Sequence, residues 1–407
     1  MANAPAPLDG IRVIEVANWL AAPAAAALMA DLGADVIKVE PPGGDAYRAT
    51  SVKIGFDVSF ATNYSFQLDN RGKRSITVDL EREGGTALVL DLVRSADIFI
   101  TNLLPERRER YGLTFDAVRA ANPRVVYASL TGYGSHGPDA WRPGFDHAAF
   151  WAASGIMGLV GEPLEPPADC RSGQGDHTTS LNLLAATLAA LRLRDNTGEA
   201  QFVETTLQVS GMWTIAADYA SALASGVDPK RASRLAPRHP ITNHYRCRDG
   251  RWFEFAMPRP FPGYWPRFCQ AIGRTDWAEP GSGATTLDEL RERNVAWVAE
   301  LDPIFAGKDL AAWGEIFDAH GLIWAPVAAL SEVIASAQVR EMGWVTSLEH
   351  PTYGRFQTLN TPFVIAGSAT GARGPAPELG EHTADVLREA GFSDAAASEL
   401  AANGVLG

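Results

Sequence analysis

Ile11-Arg12-Val13-Ile14-Glu15-Val16, an Ala-rich apolar run from Pro23 to Leu32 closed by Gly33, and Asp35-Val36-Ile37-Lys38-Val39 stand in succession near the start of the chain. The two β-branched runs read as strands. The stretch between them reads as a helix, with Pro in its first turn, where a missing N–H costs nothing, and Gly past its end. Working outward, Pro41-Pro42-Gly43-Gly44 is a loop and Ser75-Ile76-Thr77-Val78 a strand. A helix over 85–94 and further strands at Ile98-Phe99-Ile100-Thr101 and Val125 to Leu130 continue the alternation. Short β-rich runs separated by helices predict an α/β fold with a parallel, doubly wound sheet. Such sheets bind ligands beyond the carboxyl ends of their strands. Here those ends carry Asn18-Trp19-Leu20-Ala21, Asn102-Leu103-Leu104 and Thr131-Gly132-Tyr133-Gly134. Ala21-Ala22-Pro23 follows the first strand where a dinucleotide fingerprint would need glycines, which argues against a dehydrogenase.

The second half changes character. Thr179 to Arg194 predicts a long apolar helix, and Val203 to Trp213 fits strand or helix equally. Asp228 to Pro240 is basic and Pro-bearing, as a linker would be. Tyr245 to Phe255 predicts a hairpin, with Asp249-Gly250 suited to a type I′ turn. Helices follow near 265–272, 287–301 and 310–320. Pro351 to Val364 returns to strand character, and Thr383 caps a terminal helix. The expected domains are 1–225, a smaller α+β unit over 226–335, and a return to the first over 336–407.

The 407 residues carry a formal net charge of −13, which disfavours nucleic acid as a partner. No apolar run is long enough for a membrane span, and the first residues lack the pattern of a signal peptide. Cys170, Cys247 and Cys269 are odd in number and without metal-ligand spacing, so neither a disulfide framework nor a metal is expected, and a cytoplasmic home is. Against the acidic background, Asn70-Arg71-Gly72-Lys73-Arg74-Ser75 and the cluster Arg107, Arg108 and Arg110 stand out as candidates for an anionic ligand.

Arg171-Ser172-Gly173-Gln174-Gly175-Asp176-His177 precedes the long helix. Asp176 there suits a helix cap. It equally suits a carboxylate nucleophile at an acyl centre, with flanking glycines opening the backbone to a bulky substrate and the helix start favouring negative charge. His147 and His177 are candidate bases by their ordinary titration range, and each also fits a hydrogen-bonded histidine at a helix start. His382 fits a structural role in the C-terminal segment. HExxH, GxSxG and P-loop patterns are absent.

In order and spacing these blocks resemble the class III CoA-transferases, of the formyl-CoA transferase and carnitine CoA-transferase type (CaiB/BaiF). The resemblance rests on Pro7-Leu8-Asp9-Gly10-Ile11-Arg12-Val13, Leu32-Gly33-Ala34-Asp35-Val36-Ile37-Lys38-Val39-Glu40, Asn70 to Ile76, and Asn102 with Arg110-Tyr111-Gly112-Leu113. It continues through Pro143-Gly144-Phe145-Asp146, Gly175-Asp176 and Pro377-Glu378-Leu379-Gly380-Glu381-His382-Thr383, covering nearly the whole chain. It implies a Rossmann-like large domain built by the N- and C-terminal parts, a small domain inserted between them, and an interlocked homodimer. It also implies an acyl-CoA donor, a small carboxylic acid acceptor, coenzyme A as substrate rather than as a permanently bound cofactor, and Asp176 as the covalent nucleophile. CoA would meet Asn18, Trp19, Leu20, Ala21, Lys73, Arg74, Asn102, Arg110 and Tyr133.

The chain departs from the family in places. Asn18 stands where many members have Arg, and Ala22 where they have Gly. Leu104 replaces the Arg of Asn-Phe-Arg-Pro-Gly. Met257 to Gly263 occupies the region of the shielding Gly-rich loop, which implies a bulkier acyl group. The racemase branch of the family carries its His at the position of Phe145, so an epimerase would have to use His147. A non-catalytic CoA-binding protein would have no need of Asp176.

Overall fold

The computed structural model describes residues 4–50, 62–258, 263–278 and 287–407. The predicted alternation is present. β1 (Arg12–Val16), α1 (Ala21–Asp31), β2 (Asp35–Glu40), α2 (Tyr64–Asn70) and β3 (Arg74–Thr77) come first. They are followed by α3 (Gly85–Val93), β4 (Ile98–Thr101), α4 (Pro105–Arg110), α5 (Phe115–Ala121) and β5 (Val126–Thr131). A π-helical turn over Asp146–Ala152 and α6 (Ile156–Leu159) lead to α7 (Gln174–Thr197), β6 (Gln201–Thr206), α8 (Leu207–Thr214) and α9 (Ala216–Ser225).

The six strands form one parallel sheet in the order β3-β2-β1-β4-β5-β6. Side chains alternate across it, and both faces are covered, as parallel sheets require. Val13, Val36 and Ile98 pack with α1 and with Leu183, Leu184 and Leu191 of α7. Ile14, Ile37, Phe99 and Tyr127 pack on the other face with α3 and with Val386 and Leu387. α1 is buried along its whole length; its alanines permit that close approach. The order reverses between β1 and β4, which opens a crevice beyond their carboxyl ends.

The chain divides into two compact units, one of residues 1–157, 169–220 and 337–407 and one of 158–168 and 221–336. The second unit has a three-stranded antiparallel sheet of β7 (His244–Arg246), β8 (Trp252–Phe255) and β9 (Trp324–Pro326). Around it lie α10 (Trp265–Ala271), α11 (Leu287–Phe305), α12 (Leu310–Ala319) and α13 (Leu330–Ala335). Its core is aromatic, with Tyr245, Phe253, Phe255, Phe305 and Phe317 fully buried. In the first unit α14 (Ala337–Met342), the hairpin β10 (Val345–His350) and β11 (Gly354–Leu359), α15 (Thr383–Glu389) and α16 (Asp394–Ala402) complete the chain.

Several local expectations change. Val203–Trp213 is both things in turn, strand to Thr206 and helix from Leu207, with the Thr206 hydroxyl accepting from the Val209 amide at 2.9 Å. The hairpin at Asp249-Gly250 forms, but only Gly250 takes a positive φ, so the turn is wider than type I′. Asp249 is committed elsewhere, accepting from the amide of Leu310 at the start of α12. The strand expected from Pro351 is displaced; Pro351 lies in the turn between β10 and β11, where a residue without an N–H is tolerated. Thr383 is inside α15, not its cap, and its hydroxyl donates back to Gly380 O. No helix among the described residues is long and apolar enough to cross a membrane.

Candidate active site

Beyond β1, β4 and β5 lies an open cleft of about 340 Å³. Asn18, Trp19, Leu20 and Ala21 line it after β1. Asn102, Leu103, Leu104 and Arg107 line it after β4, and Leu130 to Gly132, Pro143 to Phe145, Leu207 and Asp176 close it. The two strand ends are tied across the switch point: the Asn18 amide donates to Asn102 Oδ1 at 3.1 Å, and Asn102 Nδ2 donates to Asn18 O at 2.6 Å. Gly132 and Gly144 pack backbone to backbone, so a Cβ on Gly132 would come within 2.7 Å of Gly144 Cα.

Asp176 enters the cleft from the first turn of α7. That helix begins at Gln174, earlier than expected, with Gly173 before it at φ 84°. Asp176 is therefore the third helical residue and not the cap. The cap position is Gly173, and its amide donates to Asp146 Oδ2 at 2.6 Å. Gly175 is needed for packing, since a Cβ there would stand 2.5 Å from Phe150 Cγ. It accommodates the π-helical turn rather than a substrate, which corrects the expectation from sequence.

Burial, followed by the neighbouring Asp146 and Asp69 carboxylates, pushes the Asp176 pKa up to about 7, against the opposing pull of His177 and His147. Asp69 is buried on α2, and its Oδ1 lies 3.0 Å from His177 Nε2. Burial works against the His177 imidazolium, but the bond and charge of Asp69 outweigh it and raise its pKa. Burial raises that of Asp69. His147 Nδ1 lies 2.7 Å from Asp146 Oδ1. His147 is not among the residues lining the cleft, and Phe145 is. A carboxylate near neutrality, flanked by two histidine–aspartate pairs at a helix start, can hold or release a proton or attack an electrophile at ordinary pH.

Of the nine positions expected to meet CoA, the structure brings Asn18, Trp19, Leu20, Ala21 and Asn102 to this cleft and leaves four elsewhere. Lys73 is buried, with Glu15 Oε2 at 2.7 Å and bonds to Pro23 O and Asn70 Oδ1 at 2.8 Å. Burial pushes its pKa down to about 8. Arg74 is held by Asp35 and Glu389, and Arg110 by Glu81. Tyr133 lies under the Arg142 guanidinium. Arg71 grips Asp31 of α1 and donates to Leu359 O. The basic block at 70–75 is thus an internal brace of the large unit. His382 ties the C-terminal segment to β3 through the Ser75 amide and carbonyl. The cation at the cleft is Arg107, one helical turn beyond Leu104. The sequence singles out Arg107 within a basic cluster but does not separate it from Arg108 and Arg110; its place in a helix opened by Pro105 at the end of β4 was the available signal.

Asp146, His147 and Cys170 bring one ligand atom each within 4.8 Å of one another, the one such group among the described residues. Asp146 is already committed to the Gly173 amide and the His147 ring, and a helix start favours anions. Residues 259–262, with Phe261 of the expected shielding segment, lie outside the described residues.

A family model described as CoA-transferase family III matches residues 8–383. A cinnamoyl-CoA:phenyllactate CoA-transferase of Clostridium sporogenes is 29% identical over 397 residues, covering 96% of this chain and 95% of the relative. A succinate–glutarate CoA-transferase of Agrobacterium fabrum is 33% identical over 401 residues, covering 96% and 97%. A crystal structure of a CaiB/BaiF family protein from Brucella suis superposes with a TM-score of 0.80 at 30% identity, covering 95% of this chain and all of that one.

Proposed function

The chain belongs to CoA-transferase family III, and from that premise we propose that it moves coenzyme A from an acyl-CoA donor to a carboxylic acid through covalent intermediates on Asp176. The observation that carries this reading is a partly covered carboxylate of raised basicity, set at a helix start in the cleft beyond the strand ends.

In the anionic form an Asp176 oxygen attacks the donor thioester carbonyl. The C–S bond breaks, CoA leaves as thiolate, and a mixed anhydride remains. The thiolate then attacks the Asp176 carbonyl carbon, expelling the donor acid as carboxylate and leaving an aspartyl-CoA thioester. The acceptor carboxylate attacks that thioester, CoA leaves again, and the thiolate takes the acceptor acyl group from the second anhydride. Asp176 is regenerated, and no net proton or electron is consumed. A carboxylate with a pKa near 7 is a better nucleophile than an ordinary aspartate.

CoA runs over Asn18 to Ala21 and Asn102, with Arg107 as a phosphate partner. CoA enters and leaves as substrate, with no permanently bound cofactor. The homodimer is part of the same reading: Trp213, Leu223 and Leu330 are exposed apolar side chains of the kind a partner chain covers. So is a cytoplasmic location, consistent with three free cysteines. The named acids of the relatives range from aryl acids to dicarboxylates, so they do not choose the acid used by this chain.

The test is to incubate the protein with a panel of acyl-CoAs, quench with hydroxylamine and map the product by mass spectrometry. A hydroxamate at Asp176 that requires acyl-CoA is expected. Turnover without it, accompanied by solvent deuterium entering the alpha carbon, would overturn the covalent route in favour of an epimerase.

A further inference from the structure

We propose, resting on the transferase reading above, that Trp19 and Phe145 form the wall that receives the acyl side chain, and that they select a carboxylic acid with an aryl or branched apolar side chain. Both line the cleft that holds Asp176. Both are large and apolar yet open to solvent, at 41% and 53% exposure. Their rings meet edge to face, with centroids 5.4 Å apart and planes at 88°, and this leaves faces free for a third apolar group.

Trp19 is placed there at a cost. At φ 66° it is the one residue other than glycine among those described with a left-handed backbone. A glycine would relieve that strain, but the chain carries its largest side chain at this point. The conformation is enforced from below. The Trp19 amide donates to Asp45 Oδ1 at 3.0 Å, and Asp45 Oδ2 lies 2.9 Å from the fully buried Lys38 ammonium. A strained residue held by a buried ion pair is the kind of feature that persists at a working site. Tyr47 backs the indole at 6.3 Å. Burial first, and then the carboxylates of Asp69, Asp176 and Asp45, holds the Tyr47 phenol above its ordinary range. The aromatic wall and the nucleophile therefore occupy one neighbourhood.

The charges of the cleft point the same way. Asp176 and Arg107 are its charged lining residues, against Leu20, Leu103, Leu104, Leu130 and Leu207. With Arg107 engaged by CoA phosphate, no described lining cation is left for the far carboxylate of a diacid, whose burial unpaired is disfavoured.

The experiment follows exchange of an acid with its own thioester in the full chain. Acetyl-, 4-methylpentanoyl-, 3-phenylpropanoyl- and succinyl-CoA are each offered the matching ¹³C-labelled free acid. Label entering the thioester pool gives kcat/KM for each. We expect the phenylpropanoyl and methylpentanoyl pairs to exchange at least about tenfold faster than the acetyl and succinyl pairs. We also expect Trp19→Ala and Phe145→Ala each to lower the phenylpropanoyl-to-acetyl ratio by about fivefold or more. Fastest exchange with succinyl would overturn the inference and assign Arg107 to a distal carboxylate. A ratio unmoved by either variant, with all pairs slowed alike, would overturn it in favour of Trp19 serving the adenine or pantetheine common to every donor. Exchange with none of the acids would overturn the transferase reading itself.

Discussion

Replacing Asp176 by Asn should make the protein more stable, and the gain should depend on pH. Asp176 has a pKa of about 7 in the folded chain against an ordinary 3.8. Between those values the folded state keeps a proton that the unfolded state has released. The stability contributed by this group is therefore complete below about pH 4 and is lost as pH rises through 7. The full difference, at 1.36 kcal/mol per unit, is about 4 kcal/mol. Asp176 is only partly covered from solvent, so roughly half of that, ~2 kcal/mol, is the expected effect. Asn cannot ionise and keeps the shape. Wild type and Asp176→Asn should melt together near pH 4 and separate progressively up to pH 8, where the variant should melt higher by about 2 °C. Thermal unfolding monitored by circular dichroism across that range is sufficient, and it does not depend on knowing the substrate. Two melting curves that stay parallel from pH 4 to 8 would refute the claim that the fold holds this carboxyl toward its neutral form.

The same carboxyl should appear in turnover: kcat/KM for acyl-CoA should rise with pH through about 7 as Asp176 becomes anionic, and Asp146→Asn, which removes a neighbouring negative charge, should move that limb to lower pH. Arg107→Ala should raise KM for acyl-CoA about tenfold, less so at high salt, whereas Arg110→Ala should change it little; steady-state kinetics at two ionic strengths would expose the reverse order. Lys73→Met should cost about 3 kcal/mol or more of stability by unbalancing Glu15, without a selective rise in KM, and its melting temperature separates this from a substrate contact. Gly175→Ala should lower the melting temperature, because its Cβ would press on Phe150; a variant as stable as wild type would contradict the packing described here.

Much of the large unit was legible because its elements are local. β1, α1 and β2 follow from β-branched runs, an alanine helix and one glycine, and these need no distant partner to be recognised. The crevice followed from strand order in turn, so Asn18 to Ala21 and Asn102 were found. What escaped was decided at a distance. Lys73 and Arg74 look like a phosphate site in sequence because Glu15, Asp35 and Glu389 are far from them along the chain, and only folding brings those carboxylates into contact. Asp176 resembles a cap until folding puts it in the third helical position, behind Gly173, whose amide is held by Asp146 thirty positions upstream of Asp176.

Sequence by itself determined the alternation of strands and helices, the strand ends where a ligand would lie and, through the order of its motifs, the family. Those are properties of short segments and of their succession. The tertiary structure decided which charges are consumed internally and which remain free, why Gly175 must be glycine, and how Trp19 is forced over the cleft. Each of those depends on desolvation and on contacts between residues far apart in the chain, and the free energy of a buried charge is set by the neighbours that folding supplies.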